Sequence, residues 1–417
     1  MPDIIFNQTL LAGEIESTFR TMPTLDLMAD VFDTGPVSIN PDISQLQRNV
    51  RRATLSPVAS RTGRRQMSYQ FSLDMCGSGT TDASKAPDYG RFLRACGVAE
   101  TQFASADVAL ARQSPENARQ NVVPAAHGTD TYVGTVPRLT TITVTGSGVG
   151  TVNCHESPAG DAEVNATNVD ISSGTAIAGP QGAQLMLTYT GSLTVGDKYF
   201  FVSVPPCHVY TPVSDQATME SIGLRCYVGN KYHDLTGGRG TFSLSARAGE
   251  YGVMNFTFTG DYVDPVDAAF PTAGSYSYGT NPTPPMVELA DISSDGQQLA
   301  CPTNYGVDLG GSVNARLCAN GPGATAGAAF TARTPRMTFN MDAVPLATLD
   351  IWDQMKNGTQ VQMTGYVGQQ AGNTVMFLAN GQYDNVQYAE ENTLRKNDLS
   401  LALAGIAGDD ELVLFIT

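Results

Sequence analysis

The sequence is short of charge. Lys, Arg, Asp and Glu make up only 15% of its 417 residues, well below the usual quarter. Cations are the scarcer part: 24 Lys and Arg stand against 40 Asp and Glu, a formal net charge of −16. Ordinary binding to nucleic acid needs clustered Lys and Arg, so the composition argues against it. No apolar run reaches the ~18 residues of a membrane-spanning helix. The opening MPDIIFNQTLLAGEIESTFR has no basic segment ahead of an apolar core, so no export signal is expected. Seven cysteines, at 76, 96, 154, 207, 226, 301 and 318, are odd in number and scattered. Free thiols are expected rather than a disulfide framework.

Motifs of chemistry are also missing. Cys154-His155 and Cys207-His208 suggest zinc, yet neither has a CxxC or HxxxH partner at ligand spacing. Neighbours in a strand also point to opposite faces and make poor joint ligands. GSGVG at 146–150 lacks the GK[ST] of a phosphate loop and reads as a turn. There is no GxSxG elbow and no HExxH. The carboxylates are spread singly along loops and read as a solvated acidic face. No catalytic residue, cofactor site or metal is expected, and the chain is not expected to be an enzyme.

What is present is 41% hydrophobic residues, ample for real cores, with 42 glycines and much Thr, Ser and Asn. That mixture suits a mainly β chain with many turns, or a protein that hides surface in an assembly. Residues 1–60, with Pro23, Pro36, Pro41 and Pro57, read as an extended arm leading into strands. Met67, Tyr69, Phe71 and Leu73 then alternate with polar residues, the mark of a half-buried strand. Cys76-Gly77-Ser78-Gly79 ends it. Beyond Pro87, the residues Tyr89, Phe92, Leu93 and Cys96 share one helical face, and Gly97 is the expected C′ residue.

From 128 to 205 the chain turns rich in Thr, Val, Gly and Ala, with strand-like TTITVTGSG, AQLMLTY and DKYFFVSVPP. This predicts an inserted small β-sandwich. DPVDAAFPTAGSYSYGTNPTPPM is the best boundary, near 265–285. Past it the first pattern returns. Arg333–Asp342 lies over Arg65–Asp74, and Ile351, Trp352 and Met355 before Gly358 repeat the face of Phe92, Leu93 and Cys96. A closing hairpin is read at Phe242–Leu244 and Met254–Phe258, with its match at Leu399–Leu401 and Leu412–Ile416. The expectation is therefore a duplicated β-sandwich unit with a short helix. Residues 1–127 and 206–275 form the first copy, 128–205 the insert and 276–417 the second copy.

RRATLSPVASRTGRR, residues 51–65, gathers Arg51, Arg52, Arg61, Arg64 and Arg65 in one arm. It lacks the aromatics of a single-strand binding groove. Contact with an acidic neighbouring subunit is the favoured reading.

FSLDMCGSGTTDASKAPDYGRFLRACGVAET resembles the signature of the major tail tube protein of long-tailed, siphovirus-type bacteriophages. The resemblance continues through HDLTGGRGTFSLSARAGEYGVMNFTFTGDY and the terminal GDDELVLF, across most of residues 45–125 and 210–417. The insert departs from the shortest members and looks like an outward decoration. The resemblance implies tail-tube β-sandwich or barrel domains in stacked rings, a hollow acidic conduit that the genome crosses without specific binding. A duplicated subunit would form homotrimeric, pseudo-hexameric rings, with homohexamers as the alternative. Further implied partners are other tail proteins such as the tape measure, distal tail and tail terminator proteins. The implied place is the virion tail after assembly in the bacterial host cytoplasm, with no membrane. Arg51, Arg52, Arg61, Arg64, Arg65, Gly77, Ser78 and Gly79 are the candidate contacts between subunits or rings. The rival reading is a tail-associated adhesin or glycan-binding decoration protein using Tyr132, Tyr189, Tyr199, Phe200 or Phe201.

Overall fold

The computed structural model describes residues 8–51, 53, 58–118, 121–128, 132–154, 164–279, 281–391 and 393–417. The fold is mainly β. It begins with β1 (Thr9–Ile15), β2 (Val31–Phe32), β3 (Ser38–Leu46), β4 (Arg61–Asp74), helix α1 (Gly90–Ala95) and β5 (Val98–Phe103). Next come β6 (Asp107–Gln113), β7 (Val123–Ala126), β8 (Arg138–Gly146), β9 (Val149–Cys154) and β10 (Val164–Asp170). β11 (Ile177–Ala178), β12 (Gln184–Thr188) and β13 (Lys198–Val204) follow. The chain goes on through β14 (Cys207–Pro212), β15 (Ile222–Val228), β16 (Lys231–Arg247), β17 (Val253–Tyr262) and β18 (Val266–Asp267). An irregular stretch leads to β19 (Ser293–Ser294), β20 (Gln297–Gln298), β21 (Asn304–Asp308), β22 (Gly311–Leu317) and β23 (Thr325–Arg333). The last elements are β24 (Arg336–Asp342), α2 (Ile351–Asn357), β25 (Gln360–Gln370), β26 (Asn373–Glu391), β27 (Leu394–Leu403) and β28 (Leu412–Ile416).

Strand alternation builds the main layer. Eight strands lie side by side in the order β3-β4-β17-β16-β21-β24-β27-β26, all antiparallel. Across seven of them one row runs Leu73, Met254, Leu244, Val307, Met337, Leu401, Tyr383. Every member of that row is buried. The residues between them point the other way, as the two-residue period requires.

The same set of pairings occurs twice. β1–β2, β1–β15, β3–β4, β15–β16, β16–β17 and β4–β17 correspond to β19–β20, β19–β25, β21–β24, β25–β26, β26–β27 and β24–β27. In each set the long middle strand, β16 or β26, serves two layers: its first half pairs with the strand before it and its second half with the strand after. This corrects the expected closing hairpin. The counterpart of β16–β17 is β26–β27, whereas β27 and β28 do not pair with each other. β28 instead joins β26 to β14. Residues 1–60 are also more than an arm. β1 pairs along its whole length with β15 and buries Leu10, Leu11 and Ala12.

Each helix lies under its layer. In α1, Tyr89, Phe92, Leu93 and Cys96 are all buried, and Gly97 leaves the helix at a φ of +76°. Phe92 packs among Phe32, Phe71, Phe256 and Phe258, with ring centroids 4.5–5.9 Å apart. In α2, Asp350 caps the Asp353 N–H and Gly358 ends the helix at a φ of +65°. Here only Ile351 is fully buried, with Trp352 and Met355 partly so.

The second layer of the body includes β5-β14-β28-β26-β25. One side of it, with Val375, Phe377, Leu412 and Leu414, faces the main core. The other side, with Tyr366, Met376, Leu378, Val413 and Phe415, packs on Leu139, Phe200 and Val202 of the insert. The insert is a sandwich of a five-stranded sheet, β10-β9-β8-β13-β6, and a three-stranded sheet, β11-β12-β7. Its own core holds Val122, Ile142, Val152, Leu185, Leu187, Tyr199 and Phe201. It begins earlier than the composition change at 128, because β6 pairs with β13 and β7 with β12. Stacked in order, the layers are a polar face, eight strands, the main core, the second layer, and the insert on the far side.

Replacing Phe92 by Ala empties the centre of the aromatic cluster and should cost ~3–5 kcal/mol. Trp352→Ala, at a half-covered site, should cost clearly less. Scanning calorimetry of the two variants should rank their thermal midpoints in that order.

Candidate assembly interface

The face of the eight-stranded layer turned away from the core is polar and poor in cations. One row across seven strands reads Asp74, Val253, Ser245, Gly306, Thr338, Ser400, Asn385. The next reads Ser72, Asn255, Ser243, Asp308, Arg336, Ala402, Gln382. Arg336 is paired with Asp384 at 2.7 Å, and Lys396 lies 3.0 Å from Glu391 and 3.5 Å from Asp342. Asp74, Asp308 and Asp398 have no ion-pair partner among the described residues. Hydroxyls and amides dominate, with a slight surplus of carboxylate.

The layer has two open ends. At one, β3 pairs with β4 and, among the described residues, with no other strand. At the other, the final residues of β26 pair with β27 on one side only. Tyr388 stands there 61% exposed, leaning on Trp352 and under the Arg395 guanidinium. Sequence reasoning missed this edge. Tyr388 follows Val386 at the two-residue spacing of a strand, which was the available signal.

Of the arginines expected to meet a neighbour, Arg61, Arg64 and Arg65 lie in the first part of β4, opposite β3. Arg64 holds Asp42 at 2.7 Å, and Arg51 is exposed. Arg52 and His155 lie outside the described residues. The outer part of the β3–β4 hairpin, beyond Pro41, has a counterpart in the β22–β23 hairpin between β21 and β24, and the two are placed differently. The β22–β23 hairpin is docked: Phe330 packs in the main core, Thr325 bonds Asp261, and Gly323 lies beside Arg65. The outer part of β3 is exposed or half-exposed along its length.

Gly77 and Ser78 face inward, in contrast to the expected role between rings. The Gly77 N–H donates to Asn373 Oδ1 at 2.8 Å and the Ser78 N–H to the Thr417 carbonyl at 2.9 Å. Gly79, though exposed, donates to the Gly372 carbonyl at 2.8 Å. The GSG turn is thus a seam between the first set of strands and the β25–β26 turn of the second. A Cβ on Gly77 would fall 2.1 Å from the Thr417 oxygen and 2.4 Å from that of Gly372.

His208 is buried, with Nδ1 2.6 Å from Glu100 and Nε2 3.2 Å from the Ala83 carbonyl. Cys207, its neighbour, points into the apolar cluster under the insert. Burial alone would raise the Glu100 carboxyl. The His208 hydrogen bond and the His208 and Arg94 charges outweigh it and hold the group below the usual carboxylate range. Among the described residues no cluster of three His, Cys, Asp or Glu could hold a metal. None of the seven cysteines is in a disulfide. Tyr132, Tyr199, Phe200 and Phe201 are all buried, and Tyr189 is partly so, which leaves them no platform for a sugar ring.

Gly77→Ala forces two backbone carbonyls apart and should cost ~2–4 kcal/mol, read as a lower thermal midpoint. Because Glu100 is held below its unfolded value of ~4.3, its contribution is complete above that pH. It is lost as pH falls through the lower folded value. The midpoint difference between the native protein and Glu100→Gln should therefore be largest near neutrality and vanish in strong acid. Compared with known proteins, the chain matches no family model and no curated sequence.

Proposed function

We propose that this chain is a structural subunit of a long-tailed bacteriophage tail tube, two tube domains in one polypeptide, assembled in the host cytoplasm and carried in the virion. The observation that carries this reading is the eight-stranded layer. It consists of two four-stranded sets in the same order, buried on one face and polar on the other, and unpaired at both ends among the described residues. A sheet with those properties lacks only neighbours to become the wall of a closed ring. Closure removes the edges that invite uncontrolled pairing. Rings stacked head to tail extend as a filament, because such contacts do not close.

Size favours three copies over six. Three chains supply about 24 strands, which at ~4.8 Å spacing and ~40° tilt make a barrel ~48 Å across. Side chains narrow that bore, and it still passes a hydrated double helix. Six chains would double the diameter and enclose far more space than one duplex needs. On this reading the polar face lines the bore. Its few carboxylates repel phosphate within about a Debye length, ~8 Å at physiological salt, and its hydroxyls and amides offer no cationic anchor. The lining is then mildly acidic, and most of the net charge of −16 lies elsewhere. The insert sits on the opposite side of the body, where it would decorate the outer wall. Partners of this assembly are further copies of the chain and the other tail proteins, with DNA in transit.

Electron microscopy of the concentrated, purified protein is the direct check. Hollow tubes or stacked rings with the mass of three chains per ring are expected. Compact monomers at every concentration, or rings of six whole chains, would overturn the tube or the trimer respectively.

A further inference from the structure

The middle of the eight-stranded layer contains a junction between the two like sets of strands. There β16 pairs antiparallel with β21, from Ser243 opposite Asp308 to Arg247 opposite Asn304. We propose that a second copy of this chain repeats that junction at the open ends: β3 of one copy pairs with the outer edge of β26 of the next. The register places Asn40 opposite Gln387, Ile39 opposite Tyr388 and Ser38 opposite Ala389.

That register follows from the chain itself. In the first set, Phe242 faces Phe256, which faces Phe71; in the second, Val386 faces Leu399, which faces Phe339. Val386 therefore holds the place of Phe242, and Gln387, Tyr388 and Ala389 hold those of Ser243, Leu244 and Ser245. On the other strand, Val307 stands opposite Met337 and Ile39 opposite Tyr69. Ile39 thus holds the place of Val307, and Asn40 that of Asp308.

Two differences between the occupied junction and the open ends support the match. Leu244 is 2% and Val307 1% exposed because each covers the other's layer, whereas Tyr388 in the equivalent place is 61% exposed. The β22–β23 hairpin that follows β21 lies docked on the first set of strands, whereas its counterpart after β3 has an exposed outer strand. One feature bounds the pairing. The Leu309 N–H donates to the Phe242 carbonyl at 3.1 Å, and Pro41, in the place of Leu309, has no N–H to give. The junction between copies therefore runs from Asn40 toward Pro36 and stops at Pro41. A β3–β3 or β26–β26 pair would close a two-fold dimer and has no template in the chain.

The inference rests on the same two like units as the proposed function and adds which strand meets which. By the Leu309–Phe242 bond, Ser243 and Asp308 are a non-hydrogen-bonded pair, and so are Gln387 and Asn40. Their Cα atoms would lie ~4.5 Å apart, within reach of a disulfide. The test is Asn40→Cys with Gln387→Cys in the full chain, with the exposed Cys301 and half-exposed Cys318 changed to Ser. After oxidation, a denaturing gel without reductant should show a ladder of linked chains ending at the ring. Either single variant should stay monomeric, and a mixture of the two should stop at dimers. Ser243→Cys with Asp308→Cys is the internal control and should link within one chain. Moving the cysteine from Asn40 to Asp42 should lower the yield several-fold. Tubes without a ladder overturn this register and leave the tube reading standing. A ladder from rings that never stack supports the register and removes the tube. Protein that stays monomeric with no ladder overturns both.

Discussion

Every strand residue other than proline brings one donor and one acceptor, and the backbone must satisfy both. Among the described residues, each strand of the eight-stranded layer has a neighbour on both sides except at the two outer edges. The rest of the architecture follows from how the chain serves those groups. β16 and β26 are long because each has to supply partners in two layers, and β21 is placed where it completes β16. The outer edge of β3 is held in check by Pro41, a residue tolerated only where a missing N–H faces away from the ladder.

A second consequence is the division of labour between faces. Because alternate residues point opposite ways, a single strand such as β17 can give Met254, Phe256 and Phe258 to the core and Asn255, Thr257 and Thr259 to the polar surface. The scarcity of charge then has a local meaning. Lys396 is one of few cations near the polar face, and it is sunk among Glu391, Asp342 and the Cys301 carbonyl. The other layer has apolar residues on both its sides, and it can afford them only because the insert covers one.

The parts of the fold legible in the sequence were those whose signal is local. Tyr69, Phe71 and Leu73 alternate within one strand, and Phe92, Leu93 and Gly97 spell out a helix and its end within eight residues. The return of that pattern at Met337 and Trp352 was legible for the same reason. What failed was non-local. Leu412, Leu414 and Ile416 have the spacing of Met254, Phe256 and Phe258, but Val413 and Phe415 between them are apolar and buried too, which marks a strand covered on both faces and leaves its partners unnamed. The start of the insert was missed because DVALARQ pairs with residues 199–204, far along the chain. The GSG turn looked like surface because small residues suit an exposed loop. They equally suit a place where Gly77 leaves no room for a side chain between two carbonyls. The open edge at Tyr388 could be seen only once the junction of β16 and β21 gave something to compare it with.

The way the insert joins the body has a wider implication. β5 ends at Phe103, β14 begins at Cys207, and those two residues stand opposite each other in the sheet. To the rest of the fold, the hundred or so residues between them amount to the bend of one hairpin. The entropy of closing a loop rises only as about (3/2)RT ln n, so a large excursion burdens the body little more than a small one. A position of that kind is a natural graft point. What hangs there must still cover Tyr366, Met376, Leu378, Val413 and Phe415, so the lid is exchangeable in length and not in polarity.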